Sequence, residues 1–143
     1  MPLLKTSELD NKLMDFLSKQ DNVKLAYLFG SAASGKAGKL SDIDIAVMLD
    51  ELLGKKEGFD LQLRLISDIS SLLKTDKIDL VVINDAPLSL KFEIIKANHP
   101  LFVRDRSEKV DFEQRVMSRY LDRRYYEKRA ASEFLKKVAA GGI

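Results

Sequence analysis

The chain has no cysteine, no tryptophan and a single histidine in 143 residues. Without cysteine there is no disulfide, thiolate zinc site, iron–sulfur cluster or cysteine nucleophile. One histidine cannot build a multi-histidine metal centre within one chain, so any metal must rest on oxygen ligands. Such a site favours a hard cation such as Mg²⁺. Net charge is scarce too: 24 Lys and Arg oppose 22 Asp and Glu, leaving +2. That balance does not by itself imply nucleic-acid binding, and direct nucleic-acid binding is not expected. No apolar run reaches the length of about 18 residues that a membrane-spanning helix needs. The Met1-Pro2-Leu3-Leu4-Lys5 start lacks the charged and apolar regions of a signal peptide, so a cytoplasmic location is expected. What remains, 45% hydrophobic and 32% charged residues, suits one folded domain with a genuine core.

Charge is unevenly placed. Arg104 to Lys137 holds 11 basic and 7 acidic residues, whereas the rest of the chain holds 13 basic and 15 acidic. The C-terminal third is therefore the basic part, a place where a partner could sit. Gly30 to Gly38 is the only glycine-rich stretch, and no internal repeat is evident.

Apolar periodicity predicts a mixed α/β chain. Ser7 can cap a helix over 8–19, with Leu9, Leu13, Phe16 and Leu17 as its stripe. Val23 to Phe29 and Ile43 to Leu49 read as strands, the first ended by Gly30. Leu61, Leu65, Ile69 and Leu72 recur at helical spacing within a helix over 59–73. A third strand runs from Ile78 to Ile83. Pro87 suits the first turn of a helix reaching about Ala97, with Leu88, Phe92 and Ile95 on one side. Leu101 to Val103 reads as a short edge strand. A long charged helix follows from about Ser107 towards Val138, with a break expected near Tyr125. Strands that are apolar on both faces belong to a sheet covered over much of its area.

The segment that carries chemistry is Leu28-Phe29-Gly30-Ser31, then ten residues, then Asp42-Ile43-Asp44. Period-2 geometry sends Asp42 and Asp44 to the same side of a strand, roughly 6–7 Å apart at Cα. Two such carboxylates can grip a metal pair whose ions typically stand about 3.5–4 Å apart. Asp79, alone among Ile78, Leu80, Val81 and Val82, is costly to bury unless it finds a metal or a hydrogen-bonding partner. Gly30 lets a phosphate approach the backbone. Ser31 adds a hydroxyl donor and free N–H groups, while Lys36 and Lys39 can neutralise phosphate charge. The spacing fits neither a P-loop nor the dinucleotide-binding glycine fingerprint.

Phe29-Gly30-Ser31, ten residues, Ser41-Asp42-Ile43-Asp44 and a later Asp79 resemble the minimal nucleotidyltransferases (MNT) of the DNA polymerase β superfamily. The likeness covers about Val23 to Asp85 and continues more weakly through Pro87, Arg104 and Asp122. It implies a nucleotidyltransferase fold: a central mixed sheet flanked by helices over residues 1–104, with a charged helical extension over 105–143 packing on the same domain. It also implies transfer of AMP from ATP, with two Mg²⁺ held by Asp42, Asp44 and Asp79. Asp79 would help to activate the acceptor hydroxyl. Small MNT proteins are often antitoxins of HEPN-domain ribonuclease toxins, and some AMPylate a tyrosine of the toxin. The expected partner is accordingly a HEPN toxin in a hetero-oligomer.

Other readings stay open. Ala32-Ala33-Ser34-Gly35 stands where many relatives carry an arginine, which leaves room for an antitoxin that acts by masking its toxin alone. A small-molecule, aminoglycoside-type enzyme is a further alternative, although about 60 residues after the third acid leave little space for its extra structure. RNA binding would rest on the basic C-terminal helix. There Arg115, Arg119 and Arg123 share one face, as a solvated surface or as a docking site with Tyr120, Tyr125 and Tyr126 as anchors. Val110, Phe112, Val116 and Leu121 are expected to pack on the body, and His99 to be a loop residue.

Overall fold

The computed structural model describes residues 6–30 and 42–141. Its elements run α1 (Thr6–Ser18), β1 (Val23–Phe29), β2 (Ile43–Leu49), α2 (Lys55–Leu73) and β3 (Ile78–Val82). A 3₁₀ turn (Ile83–Asp85), α3 (Leu88–Ala97), β4 (Pro100–Val103) and α4 (Arg106–Ala139) complete them. The four strands form one mixed sheet in the order β3-β2-β1-β4. β1 is antiparallel to both β2 and β4, whereas β2 and β3 are parallel and joined through α2. A parallel pair needs such a crossover, because a hairpin cannot reverse the chain twice. The mixed sheet with flanking helices and a long final helix is the α+β architecture that the MNT resemblance implied.

Both faces of the sheet are covered. On one, Leu9, Leu13 and Leu17 of α1 and Leu61, Leu65, Ile69 and Leu73 of α2 pack on Val23, Ala26, Leu28, Ile45, Val47 and Leu80. On the other, Ile94 of α3 and Phe112 and Val116 of α4 cover Leu25, Tyr27 and Ala46. A register shift between Val23 and Leu25 lets these neighbours face opposite sides despite their even spacing.

Four details depart from the periodicity argument. The first helix already includes Ser7, since it begins at Thr6. α2 starts at Lys55, before the expected 59, and buries Leu73, while Leu72 is only partly covered. β3 stops at Val82 because Ile83 opens the 3₁₀ turn. α4 runs unbroken through Tyr125 for 34 residues. Its Asp105 side chain accepts a hydrogen bond from Ser107 N at 2.8 Å, satisfying one of the first-turn donors.

Among the described residues, α4 meets the body only along its first half. Phe112 and Val116 are buried, and the ring of Tyr120 stacks flat on Phe92 with centroids 3.8 Å apart. Tyr120 is thus engaged within the fold and is not a free anchor for the docking alternative. Val110 and Leu121, expected in the core, are half exposed, because they project from a different side of the helix. From Leu121 to Gly141 every residue is exposed.

Side-chain hydrogen bonds tie distant segments together. The Tyr27 hydroxyl donates to Glu113 Oε2 at 2.8 Å, and Lys109 Nζ donates to the other oxygen of that carboxylate at 3.0 Å. Arg104 donates to the carbonyls of Gln20 at 2.8 Å and Val23 at 3.0 Å. The side-chain amide of Asn84 exchanges two 2.9 Å hydrogen bonds with the Leu49 backbone, fixing the turn after β3 to the end of β2. No helix among the described residues is long and apolar enough to cross a membrane.

Candidate active site

Sheet pairing decides where the acids lie. The antiparallel β1–β2 ladder sets Phe29 opposite Asp44, and the parallel β2–β3 ladder sets Asp44 beside Asp79. Paired residues on neighbouring strands share a face and stand about 5 Å apart. Asp44 and Asp79 therefore project side by side from the end of the sheet where β1 finishes and β2 and β3 begin. Asp42 lies one residue before β2, on the same edge. Asp42 and Asp79 are exposed and Asp44 is half-buried.

Asp44 is the electrostatic centre of the group. Burial raises its carboxyl pKa above the ordinary value, and the negative charges of Asp79 and then Asp42 raise it further. The carboxylate thus sits in a position that calls for positive charge. Gly30 completes this corner with φ +70°, a left-handed backbone that side chains rarely adopt. A β-carbon there would overlap Asp44 Oδ2. The strand end and the carboxylate are in contact only because that side chain is missing.

Ser31, Lys36 and Lys39, the remaining phosphate-binding candidates, lie outside the described residues. Among the described residues no three His, Cys, Asp or Glu side chains close around one point as a finished metal cage would. The three aspartates instead line an open edge. Their donor set, carboxylate oxygen without nitrogen or sulfur, still suits a hard divalent cation, and the raised Asp44 matches a place where such a cation relieves repulsion.

Residues 11–107 match the Polymerase beta, Nucleotidyltransferase family. The chain belongs to that family. Nucleotidyltransferases of this fold use a nucleoside triphosphate and a divalent metal. No curated protein matches the sequence at a significant level. Several solved structures share the fold. A toxin–antitoxin crystal structure with AMP-PNP aligns with TM-score 0.66 and 23% identity over 88% of this chain and 98% of that one. The MntA-HepT toxin–antitoxin structure gives 0.63 and 22%, over 90% and 98%. A complex of tri-AMPylated Shewanella oneidensis HEPN toxin with MNT antitoxin gives 0.62 and 21%, over 92% and 99%.

Other features of this nucleotidyltransferase lie apart from the acids. Arg115 and Arg119 line one groove of about 690 Å³ with Asp111, Gln114 and Ser118, as their four-residue spacing predicted. Arg123 is not among its lining residues. A cavity of about 620 Å³ lies at the opposite end of β2 and β3, between Leu49, Val82, Asn84 and the start of α2. His99 precedes β4, and its Nε2 meets Asp10 Oδ2 at 2.7 Å, joining α1 to the edge strand. That partnership spans 89 positions, and nothing local in the sequence announces it. The Arg104 clamp on α1 and β1 was equally hidden, although Val103-Arg104-Asp105 falls within the weaker part of the MNT likeness.

Proposed function

We propose that this nucleotidyltransferase moves AMP from ATP to a hydroxyl acceptor, a tyrosine of a partner HEPN ribonuclease toxin, and so acts as the antitoxin of a pair. The observation that carries the reading is the side-by-side register of Asp44 and Asp79, with Asp42 on the same edge and Gly30 against Asp44. The family membership supplies the reaction class. The toxin–antitoxin complexes of the same fold, one of them with a tri-AMPylated toxin, suggest the acceptor.

Asp42, Asp44 and Asp79 would hold two Mg²⁺. When bound, these ions supply charge neutralisation for the triphosphate and for the departing pyrophosphate. Gly30 and Ser31 would hold the β- and γ-phosphates, with Lys36 and Lys39 offsetting their charge. The acceptor oxygen attacks the α-phosphorus as the bond from that phosphorus to the bridging oxygen breaks. Pyrophosphate departs, and the hydroxyl proton passes to Asp79. Catalysis of this kind is mainly positioning and charge stabilisation, so it needs neither cysteine nor histidine.

The decisive experiment incubates the chain with ATP labelled on the α-phosphate, Mg²⁺ and the HEPN protein encoded beside it. Label should appear on that protein, and Asp42→Asn or Asp44→Asn should abolish the transfer. If those variants transfer no label yet neutralise the toxin as fully as the parent, masking by binding is the function instead.

A further inference from the structure

α4 carries two apolar stripes, and the fold uses only one. Phe112, Val116 and Tyr120 face the sheet and α3. Val110, Met117, Leu121, Tyr125 and Leu135 follow one another at steps of seven, four, four and ten on another side of the same helix. At 3.6 residues per turn these steps keep all five within an arc of about 80°. Lys128 and Ser132 fill the two turns between Tyr125 and Leu135 on that side. The five apolar members of this second stripe are 44% to 64% exposed. It extends for about 37 Å at the helical rise, and beyond Tyr120 no described residue covers the helix on any side. Helices in proteins owe most of their stability to packing of an apolar face. An apolar stripe of this length on a solitary helix marks a protein interaction surface.

Charge selects the occupant. Past Tyr120, Arg123 pairs with Glu127 at 3.0 Å and Arg129 with Glu133 at 3.5 Å, both within the helix. Arg124, Lys128, Lys136 and Lys137 form no ion pair among the described residues, and Asp122 is the one acid left beside them. Lys128 lies within the stripe itself. A second copy would bring the same surplus of cations against this one, and like charges across an interface are disfavoured. An acidic surface meets both requirements.

We infer that the second stripe of α4 docks an acidic, amphipathic helical face of a partner protein, with Leu121, Tyr125 and Leu135 in the seam and Arg124 and Lys128 facing carboxylates. Because the partner is taken to be the HEPN toxin, the inference rests on the functional reading above. It adds which surface of this chain makes the contact and what chemistry the toxin must present to it.

The test measures affinity of the full-length chain for the HEPN protein encoded beside it, together with the mass of the chain alone in solution. The chain alone should be monomeric, and a dimer that the double variant L121E/L135E dissolves would overturn the inference. The same variant should bind the HEPN protein about 100-fold more weakly. R124E/K128E should weaken binding about 10-fold and flatten its salt dependence. Both pairs lie beyond the packed half of α4, so thermal unfolding of the body should be unchanged. Leu63→Glu, at a position 52% exposed on α2 and so on the other face of the sheet from α4, should bind like the parent. Binding retained by L121E/L135E overturns the docking surface while leaving the proposed activity intact. A complex that forms through the stripe but transfers no AMP removes the activity and leaves the surface. No complex with the parent chain overturns both.

Discussion

Gly30 and Asp44 touch across the β1–β2 ladder at a place where no side chain fits. The left-handed φ of Gly30 and the missing β-carbon act together there: the first departs from the extended strand backbone, and the second leaves room for the carboxylate. Gly30→Ala should therefore cost about 1–3 kcal/mol of stability from backbone strain and displacement of Asp44. It should also reduce AMP transfer by more than the unfolded fraction explains. Denaturant unfolding beside single-turnover transfer separates the two effects. Transfer at the parental rate would mean that the Asp44 position does not matter.

Asp44→Asn should lose transfer and keep its fold. Burial, then Asp79, then Asp42 raise the Asp44 carboxyl pKa in the folded chain. An acid raised on folding holds its proton more tightly folded than unfolded, so its ionisation costs stability above the raised value. That cost disappears as pH falls through the folded value towards the ordinary one near 3.8. Metal-free at neutral pH, Asp44→Asn should be at least as stable as the parent and should lack this acid-range gain. Thermal melts from pH 7 to 4 in chelator check it. Asp79→Asn should shrink the same gain by removing one repelling charge.

Mg²⁺ with ATP should raise the melting temperature of the parent chain, since any ligand that binds only the folded state stabilises it. At 100 times its dissociation constant the gain is about 2.7 kcal/mol. Asp44→Asn should lose most of that shift, and an equal shift in both proteins would remove Asp44 from the metal site.

Tyr27→Phe isolates the contact between β1 and α4. Burial, followed by the hydrogen bond and charge of Glu113, raises the Tyr27 phenol pKa well above its ordinary 10.0. The unfolded chain ionises near that ordinary value while the folded one does not, so stability from this group falls as pH rises through 10.0. The Phe variant should be weaker by about 1–2 kcal/mol at neutral pH, and its stability should fall less steeply in alkali. Urea titrations at pH 7 and 10.5 decide the point.

Arg104→Lys should also destabilise, by about 1 kcal/mol. The guanidinium reaches the Gln20 and Val23 carbonyls at once and lies 4.8 Å from the centre of the Phe102 ring. A lysine has one ammonium and no planar fork to span them. An unchanged denaturation midpoint would mean that the clamp contributes nothing.

The strands and most helices were legible because their apolar spacing is local. Leu61, Leu65 and Ile69 mark their buried face whatever else the chain does. The three acids were legible as a motif, but their register was not. That Asp79 lies beside Asp44 depends on how β3 aligns with β2, which is settled by packing across α2 and not by either strand alone. The same limit explains α4. Phe112, Val116 and Tyr120 form one stripe and Val110, Met117 and Leu121 another, and spacing cannot say which of the two the sheet will bury. Leu121, expected to pack on the body, is 53% exposed, and Tyr120, a candidate anchor only in the docking alternative, stacks on Phe92. His99 and Asp10 are too far apart in sequence for either to reveal the other.

The unbroken course of α4 gives the Phe92–Tyr120 stack a mechanical place. Beyond it the helix extends about 28 Å at the helical rise, with no proline or glycine between 121 and 139 at which a bend could be absorbed. It is a lever arm whose fulcrum is two aromatic rings lying flat on each other, 5° from parallel. A force on the outer end is delivered to α3 at Phe92, two residues from Ile94, which is seated against the sheet.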